Sequence, residues 1–310
     1  MTLLISLPES MGPRALSSAL LSLEPGLKIV TGHDNVQNTN EVEFAVVWNN
    51  YPEGLLLNYP NLKAISSYGH GVDGLLADRK LPEGVPLVRL KDDTMAGWMS
   101  GYLLAVGLLH RRQLLRHAEN SDFIEWGIAS RYHGNQLSIL GLGYLGQAAA
   151  KVFLKMGFGV SGWSRTLKKI EGVRSFSGND GLNEMLKNTN YLVNLLPLTL
   201  ETTDLLNTET LSKLKRGAYL INVGRGETLV EENLIPLLDE GQLSGACLDV
   251  FRTEPLPEKH PFRKHKKILI TPHNSSSTPA DSVAPQILEN YKRAVSGRQL
   301  LNLVDLERGY

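Results

Sequence analysis

The stretch Leu137-Ser138-Ile139-Leu140-Gly141-Leu142-Gly143-Tyr144-Leu145-Gly146-Gln147 decides the fold. Leu137–Leu140 is a short apolar run of the kind that forms a buried strand, and Gln147–Met156 reads as a helix. Between them the glycines follow the spacing Gly-x-Gly-x-x-Gly, which has a mechanical meaning where a strand runs into a helix. Gly141 permits a tight turn, Gly143 lets a pyrophosphate approach the backbone, and Gly146 lets helix and strand pack closely. The helix N-terminus then offers N–H donors and positive potential to the phosphates. Gly141, Leu142, Gly143, Tyr144, Leu145 and Gly146 are thus candidate contacts to a dinucleotide.

The next strand indicates which dinucleotide. It ends in Val160-Ser161-Gly162-Trp163-Ser164-Arg165-Thr166, where the adenosine ribose is expected. A carboxylate there would accept from the ribose 2′-hydroxyl and repel a 2′-phosphate. This chain instead has Ser164 and Arg165, with Lys168 and Lys169 close behind. Ser164 removes the repulsion, and Arg165 can form charge-assisted bonds to phosphate. Ser164, Arg165 and Thr166 therefore predict NADP(H) as the preferred cofactor, with NAD(H) still possible.

Working outward, short apolar runs alternate with helix-length segments. Strands are predicted at Leu3–Leu7, Leu27–Val30, Phe44–Trp48, Leu62–Ser66 and Leu87–Leu90, with helical stretches at Ser10–Leu23 and Gly54–Asn58. A long helical pattern over Met95–His117 suits a connection between domains. A second series of strands follows at Leu137–Leu140, Gly159–Gly162, Tyr191–Leu196, Tyr219–Val223, Ala246–Val250 and Ile268–Thr271, before a last helix near Pro279–Val295. The expected fold class is α/β, with two Rossmann-like doubly wound parallel-sheet domains. One domain comprises 1–98 and 277–310; the other, 99–276, binds the dinucleotide.

Composition excludes other classes. Lys+Arg and Asp+Glu both number 32, so no net field attracts polyanions, and no basic and aromatic strip suggests nucleic acid. The basic cluster Arg263-Lys264-His265-Lys266-Lys267 precedes a strand and reads as a solvated loop. No apolar run nears the roughly 18 residues that span a bilayer, and Met1–Ile5 reads as a strand rather than a leader. The single cysteine, Cys247, lies in an apolar run and excludes an internal disulfide framework. His33, His70, His110, His117, His133, His260 and His265 show no metal-ligand pairing, so no metal is expected. A cytoplasmic location is the corresponding expectation.

Four stretches carry a more specific resemblance: the glycine loop, Leu214–Gly226 (Leu-Lys-Arg-Gly-Ala-Tyr-Leu-Ile-Asn-Val-Gly-Arg-Gly), Leu248–Leu256 (Leu-Asp-Val-Phe-Arg-Thr-Glu-Pro-Leu), and Thr271-Pro272-His273-Asn274. Leu196-Pro197-Leu198-Thr199 and Tyr68-Gly69-His70-Gly71-Val72-Asp73 add to it. In order and spacing the chain resembles the D-isomer-specific 2-hydroxyacid dehydrogenases, and within them the glyoxylate/hydroxypyruvate reductases. The resemblance implies an active-site cleft between two domains, a homodimer, and hydride transfer between a nicotinamide cofactor and a short 2-oxo acid.

By the same resemblance Arg225, Glu254 and His273 form the catalytic set. Their chemistry suits it: a fixed guanidinium fork for carboxylate and ketone oxygen, an imidazole to donate a proton, and a carboxylate to hold that imidazole. Leu196, Pro197, Thr202, Val223, Gly224, Arg225, Asp249 and His273 are expected to border the cofactor. Arg225 and His273, with Trp48 and the backbone of Gly69, His70 and Gly71, are expected to meet the substrate. Trp98 and Trp48 resemble pocket aromatics of the reductases, although core packing accounts for either. His70 and Gly101 depart from the family pattern, His70 where a small residue is usual and Gly101 where an acidic one is. Two alternatives stand beside this reading: a nucleotide-sensing, corepressor-like scaffold on the same fold, and a reductase of a bulkier 2-oxo acid.

Overall fold

A computed structural model describes residues 2–49, 51–114 and 134–310. Residues Met1–Met95 with Thr278–Tyr310 form one compact unit, and Ala96–Ser277 form a second. The division falls inside the helix Asp93–Arg111, just after Met95. The helix predicted to run to His117 ends at Arg111, with Gln113 at φ 54°; residues 115–117 lie outside the described residues, as does His133.

In the first unit, β1 (Thr2–Ser6), β2 (Ile29–Thr31), β3 (Val42–Val47), β4 (Ala64–Ser67) and β5 (Leu87–Val88) form an all-parallel sheet in the order β2-β1-β3-β4-β5. Its central strands are buried on both faces, β1 and β3 through mainly apolar sequences and β4 with Ser66 and Ser67 buried beside Ala64 and Ile65. The C-terminal helix Ala280–Val295 packs against the helix Pro13–Leu23 and against β3 and β4. Tyr291 meets Phe44 edge to face there, with ring centroids 6.0 Å apart.

In the second unit, β6 (Gln136–Leu140), β7 (Gly159–Trp163), β8 (Val173–Phe176), β9 (Tyr191–Asn194), β10 (Ala218–Asn222), β11 (Leu243–Leu248) and β12 (Ile268–Ile270) are also all parallel. Their order is β12-β11-β10-β9-β6-β7-β8. The order reverses between β6 and β9, and in open parallel sheets ligands bind beyond the strand C-termini at such a point. Met99, Leu103 and Val106 of the helix Asp93–Arg111 share a buried cluster with Leu137, Phe153 and Tyr219.

Local differences from the sequence reading have physical causes. The helix expected over Ser10–Leu23 is two pieces, Glu9–Met11 and Pro13–Leu23, separated by Gly12 at φ 65°. Pro13 then opens the longer piece, a position where its missing N–H costs nothing. The strand expected to reach Leu196 stops at Asn194, whose side chain accepts the Leu196 N–H and turns the chain. Strand β8 was not anticipated; Val-Arg-Ser-Phe is short, half-polar and on the sheet edge.

Candidate active site

The glycine turn behaves as its spacing requires. Gly141 sits at φ 100°, a conformation L side chains rarely adopt, and its N–H donates to the Trp163 carbonyl at 2.9 Å. A Cβ on Gly146 would lie 1.9 Å from the Gly141 carbonyl oxygen, so only glycine lets the helix Tyr144–Lys155 start there. At Gly143, by contrast, a Cβ would meet no protein atom within 4 Å. The space beside Gly143, at the helix N-terminus, is open to a pyrophosphate. Leu142 is buried, and Tyr144 and Leu145 begin the helix.

After β7, the Ser164 hydroxyl donates to the Thr166 carbonyl at 2.9 Å. The Arg165 guanidinium pairs with Glu201 at 3.2 Å in an exposed contact. After β9, Leu196 is buried, and Thr202 Oγ1 donates to the Pro197 carbonyl at 2.7 Å while accepting the Thr199 N–H at 2.8 Å. That closes the loop whose tip carries Glu201.

The loops after β10, β11 and β12 carry the remaining groups. Val223 and Gly224 are buried, and Arg225 is half-buried with Nη1 donating to the Gly224 carbonyl at 2.7 Å. Asp249 is fully buried and accepts from Thr271 Oγ1 at 2.5 Å and from the backbone N–H groups of Asn274 and Ser275, each at 2.9 Å. Its carbonyl accepts the His273 N–H at 2.9 Å. Asp249 thus holds the turn 271–275 in which His273 takes the left-handed conformation, φ 51°. Behind it, Tyr102 Oη lies 2.6 Å from Thr271 Oγ1 and 3.2 Å from Cys247 Sγ. Burial raises the Cys247 thiol to about 11, against the Tyr102 hydrogen bond, which makes it inert.

His273 Nδ1 lies 2.7 Å from Glu254 Oε2, and Glu254 Oε1 accepts the Phe251 N–H at 3.0 Å. One carboxylate oxygen is therefore anchored to the backbone and the other faces the imidazole. The Glu254 hydrogen bond raises the His273 pKa above its ordinary value, outweighing burial and the Arg225 charge, both of which lower it. Burial pushes Glu254 up, but the His273 hydrogen bond, the Phe251 N–H and the His273 and Arg225 charges together carry it below the usual carboxylate range. With Nδ1–H donated to Glu254, Nε2 is left to exchange a proton, and both nearby charges act on the same imidazole.

Of the other predicted residues, Trp48, Gly69, His70 and Gly71 lie in the first unit and Trp98 in the second. Gly69 rests on the Trp48 ring, where a Cβ would be 2.2 Å from Cζ3. The Gly69 carbonyl accepts the Leu90 N–H at 3.0 Å, and the Leu90 carbonyl accepts from His70 Nδ1 at 3.1 Å. Gly71 caps the turn by accepting from Ser67 Oγ at 2.9 Å. Trp98 is 49% exposed on its helix. Glu201, Asn194, Thr228 and Tyr102 were not singled out from sequence, and Asn222 and Thr271 stood in quoted motifs without an assigned role; all of them bond into the site loops.

Comparison with known proteins follows the same outline. Residues 105–275 match the D-isomer specific 2-hydroxyacid dehydrogenase, NAD binding domain. Glyoxylate/hydroxypyruvate reductase A of Yersinia enterocolitica is 37% identical over 280 residues, 88% of this chain and 89% of the relative. A D-isomer specific 2-hydroxyacid dehydrogenase from Xanthobacter autotrophicus Py2, solved with NADPH and MES, superposes with TM-score 0.94 at 38% identity, covering 100% of this chain and 99% of that one. The NADPH-dependent glyoxylate/hydroxypyruvate reductase of Sinorhizobium meliloti, solved with NADP and sulfate, gives TM-score 0.91 at 33% identity over 100% of this chain and 99% of that one. Agreement in sequence and backbone along nearly the whole length is common descent, and the chain belongs to the D-isomer specific 2-hydroxyacid dehydrogenase family.

Proposed function

We propose that the protein is an NADP(H)-dependent reductase of a short 2-oxo acid, glyoxylate or hydroxypyruvate, forming the 2-hydroxy acid. The observation that carries this reading is the 2.7 Å contact between His273 and Glu254, with the Arg225 charge acting on both. The bound nicotinamide cofactor supplies the hydride. Arg225 holds the substrate carboxylate and polarises the ketone, and His273, kept protonated by Glu254, gives its Nε2 proton to the oxygen as negative charge develops there. The open space at Gly143 and the N-terminus of the helix Tyr144–Lys155 fit a pyrophosphate, and Ser164 with Arg165 fit a 2′-phosphate. Leu196, Pro197, Thr202, Val223, Gly224 and Asp249 shape the rest of the cofactor site. Trp48 and the backbone of Gly69, His70 and Gly71 belong to the substrate side of the proposal. So do a homodimeric assembly, which the family resemblance implies, and a cytoplasmic setting, which is read from the composition. No helix among the described residues is long and apolar enough to cross a membrane.

A panel of 2-oxo acids assayed with NADPH and with NADH, followed at the nicotinamide absorbance, tests the proposal. Turnover of glyoxylate or hydroxypyruvate with NADPH is the expected result. No turnover of any oxo acid would favour a nucleotide-sensing scaffold, and faster turnover of larger acids would favour the bulkier-substrate alternative.

Cofactor choice gives a sharper prediction. Arg165→Ala should weaken NADPH binding by about tenfold, the lower part of the range for a charge-assisted bond at an exposed rim, and leave NADH nearly unchanged. Ser164→Asp should reverse the preference by repelling the phosphate. Dissociation constants from nicotinamide fluorescence decide both, and a wild-type preference for NADH would show the Ser-Arg reading to be wrong.

The His273–Glu254 pair predicts a pH effect with a definite sign. Reduction needs His273 protonated, and Glu254 raises its pKa, so wild-type activity should persist to higher pH than an isolated histidine allows. Glu254→Gln removes the charge, so the alkaline limb of the kcat/KM profile should move to lower pH. An unmoved limb would uncouple the two residues.

A further inference from the structure

The polar side chains of Asn194, Asn222 and Thr228 are completely buried, at 0% exposure, and all bond into the turn that carries Arg225. The Thr228 hydroxyl donates to the Arg225 carbonyl at 2.6 Å, and Asn222 Nδ2 donates to the same oxygen at 3.2 Å. Asn222 Oδ1 accepts the Gly224 N–H at 3.2 Å, so the backbone is held on both sides of Arg225. Asn194 Nδ2 ties the group together, donating to Asn222 Oδ1 at 2.9 Å and to Thr228 Oγ1 at 2.7 Å. Asn194 and Asn222 can do this because they are register partners at the ends of β9 and β10.

Burying two amides and a hydroxyl is costly unless each is bonded, and apolar side chains would fill the space without that cost. The polar choice therefore secures geometry. Close packing restrains the same turn: a Cβ on Gly224 would lie 2.9 Å from the Leu196 carbonyl oxygen, and one on Gly226 1.9 Å from the Phe251 carbonyl carbon. The side-chain network adds direction, because the Arg225 head lies at the end of a long arm. Tilting the turn by about 10° displaces that head by roughly 1 Å, and a displacement of that size can cost up to about 10²-fold in rate.

We infer that Asn194, Asn222 and Thr228 are positioning residues for Arg225, fixing the backbone from which its guanidinium engages the carboxylate of the oxo acid. The inference rests on the reading of Arg225 given under Proposed function. Thr228 offers the cleanest test because it bonds the Arg225 carbonyl directly and can be exchanged for near-isosteric residues. Thr228→Val keeps the shape and removes the hydroxyl; Thr228→Ser keeps the hydroxyl.

Three quantities are measured on the full-length protein: kcat/KM for glyoxylate, the dissociation constant of oxamate (a non-reacting carboxylate analogue) in the presence of NADPH, and that of NADPH itself. Thr228→Val should weaken oxamate and lower kcat/KM by about tenfold each, without changing NADPH binding, while Thr228→Ser restores both. If Thr228→Val lowers only the melting temperature, the network is merely structural and the inference fails. Should the valine variant not fold, Thr228→Ala removes the same hydroxyl without adding bulk and is read by the same measurements. Arg225→Lys runs in parallel. Unchanged oxamate binding there overturns the underlying role of Arg225, whereas loss in Arg225→Lys without loss in the Thr228 variants overturns the positioning role alone.

Discussion

Replacing His273 with alanine is expected to lower kcat for reduction by about 10²–10⁴-fold, the usual contribution of a positioned acid or base. NADPH affinity should survive, because the glycine turn and the helix Tyr144–Lys155 do not depend on the imidazole. The backbone sets one condition on the experiment. His273 sits at φ 51°, so its replacement must tolerate the left-handed region. Asparagine does so readily and brings no titrating group, which makes His273→Asn the matched control. If either variant turns over near the wild-type rate while folded, the proton donor lies elsewhere.

The second large effect concerns Arg225. Arg225→Lys keeps the charge but loses the planar fork that can grip a carboxylate and a ketone oxygen together. Loss of a charge-assisted bond of this kind is worth roughly 1.5–3 kcal/mol, so kcat/KM should fall about ten- to a hundredfold. KM should rise and kcat fall together, because the guanidinium is proposed to act both in binding and in polarising the ketone. The arginine also bonds its own turn through the Gly224 carbonyl, so melting curves must accompany the kinetics. Unaltered oxo-acid kinetics would reduce Arg225 to a turn residue.

Much of the fold was legible because parallel strands buried on both faces are written as short apolar runs. Leu3–Ile5, Leu137–Leu140 and Ala246–Leu248 show this directly. The central strands were therefore found, and the misses fell at edges and ends. Val173–Phe176 carries Arg174 and pairs on one side only, so nothing in its composition demands burial. The break at Gly12 was written in the Gly12-Pro13 pair but concealed by the helical pattern around it.

The site divides in a similar way. Glycines fixed by close approach, such as Gly146, and groups with distinctive chemistry, such as Arg225 and His273, carry a signal in their spacing. Asn194, Asn222 and Thr228 do not, because a polar residue at a strand end or in a turn looks the same in sequence whether it faces solvent or is buried. Glu201 was equally silent. Its pairing with Arg165 depends on the loop after β9 reaching the end of β7, a neighbourhood that only the sheet order creates.

That the first compact unit is assembled from both ends of the chain bears on how the protein is made. Leu16, Leu20, Phe44 and Val46 share their core with Val283, Ala284, Ile287 and Tyr291. The Leu87 carbonyl likewise waits for the Val304 N–H, which it accepts at 2.9 Å. A nascent chain that has reached Ser277 holds every strand of both sheets, yet the sheet synthesised first still lacks the helix Ala280–Val295 that covers it. Its apolar face remains open throughout synthesis of the second unit, the interval in which exposed strands aggregate most readily. The strands of the first unit are thus sealed only after the second unit is made, and a frameshift after Ser277 is expected to damage the first unit more than the second.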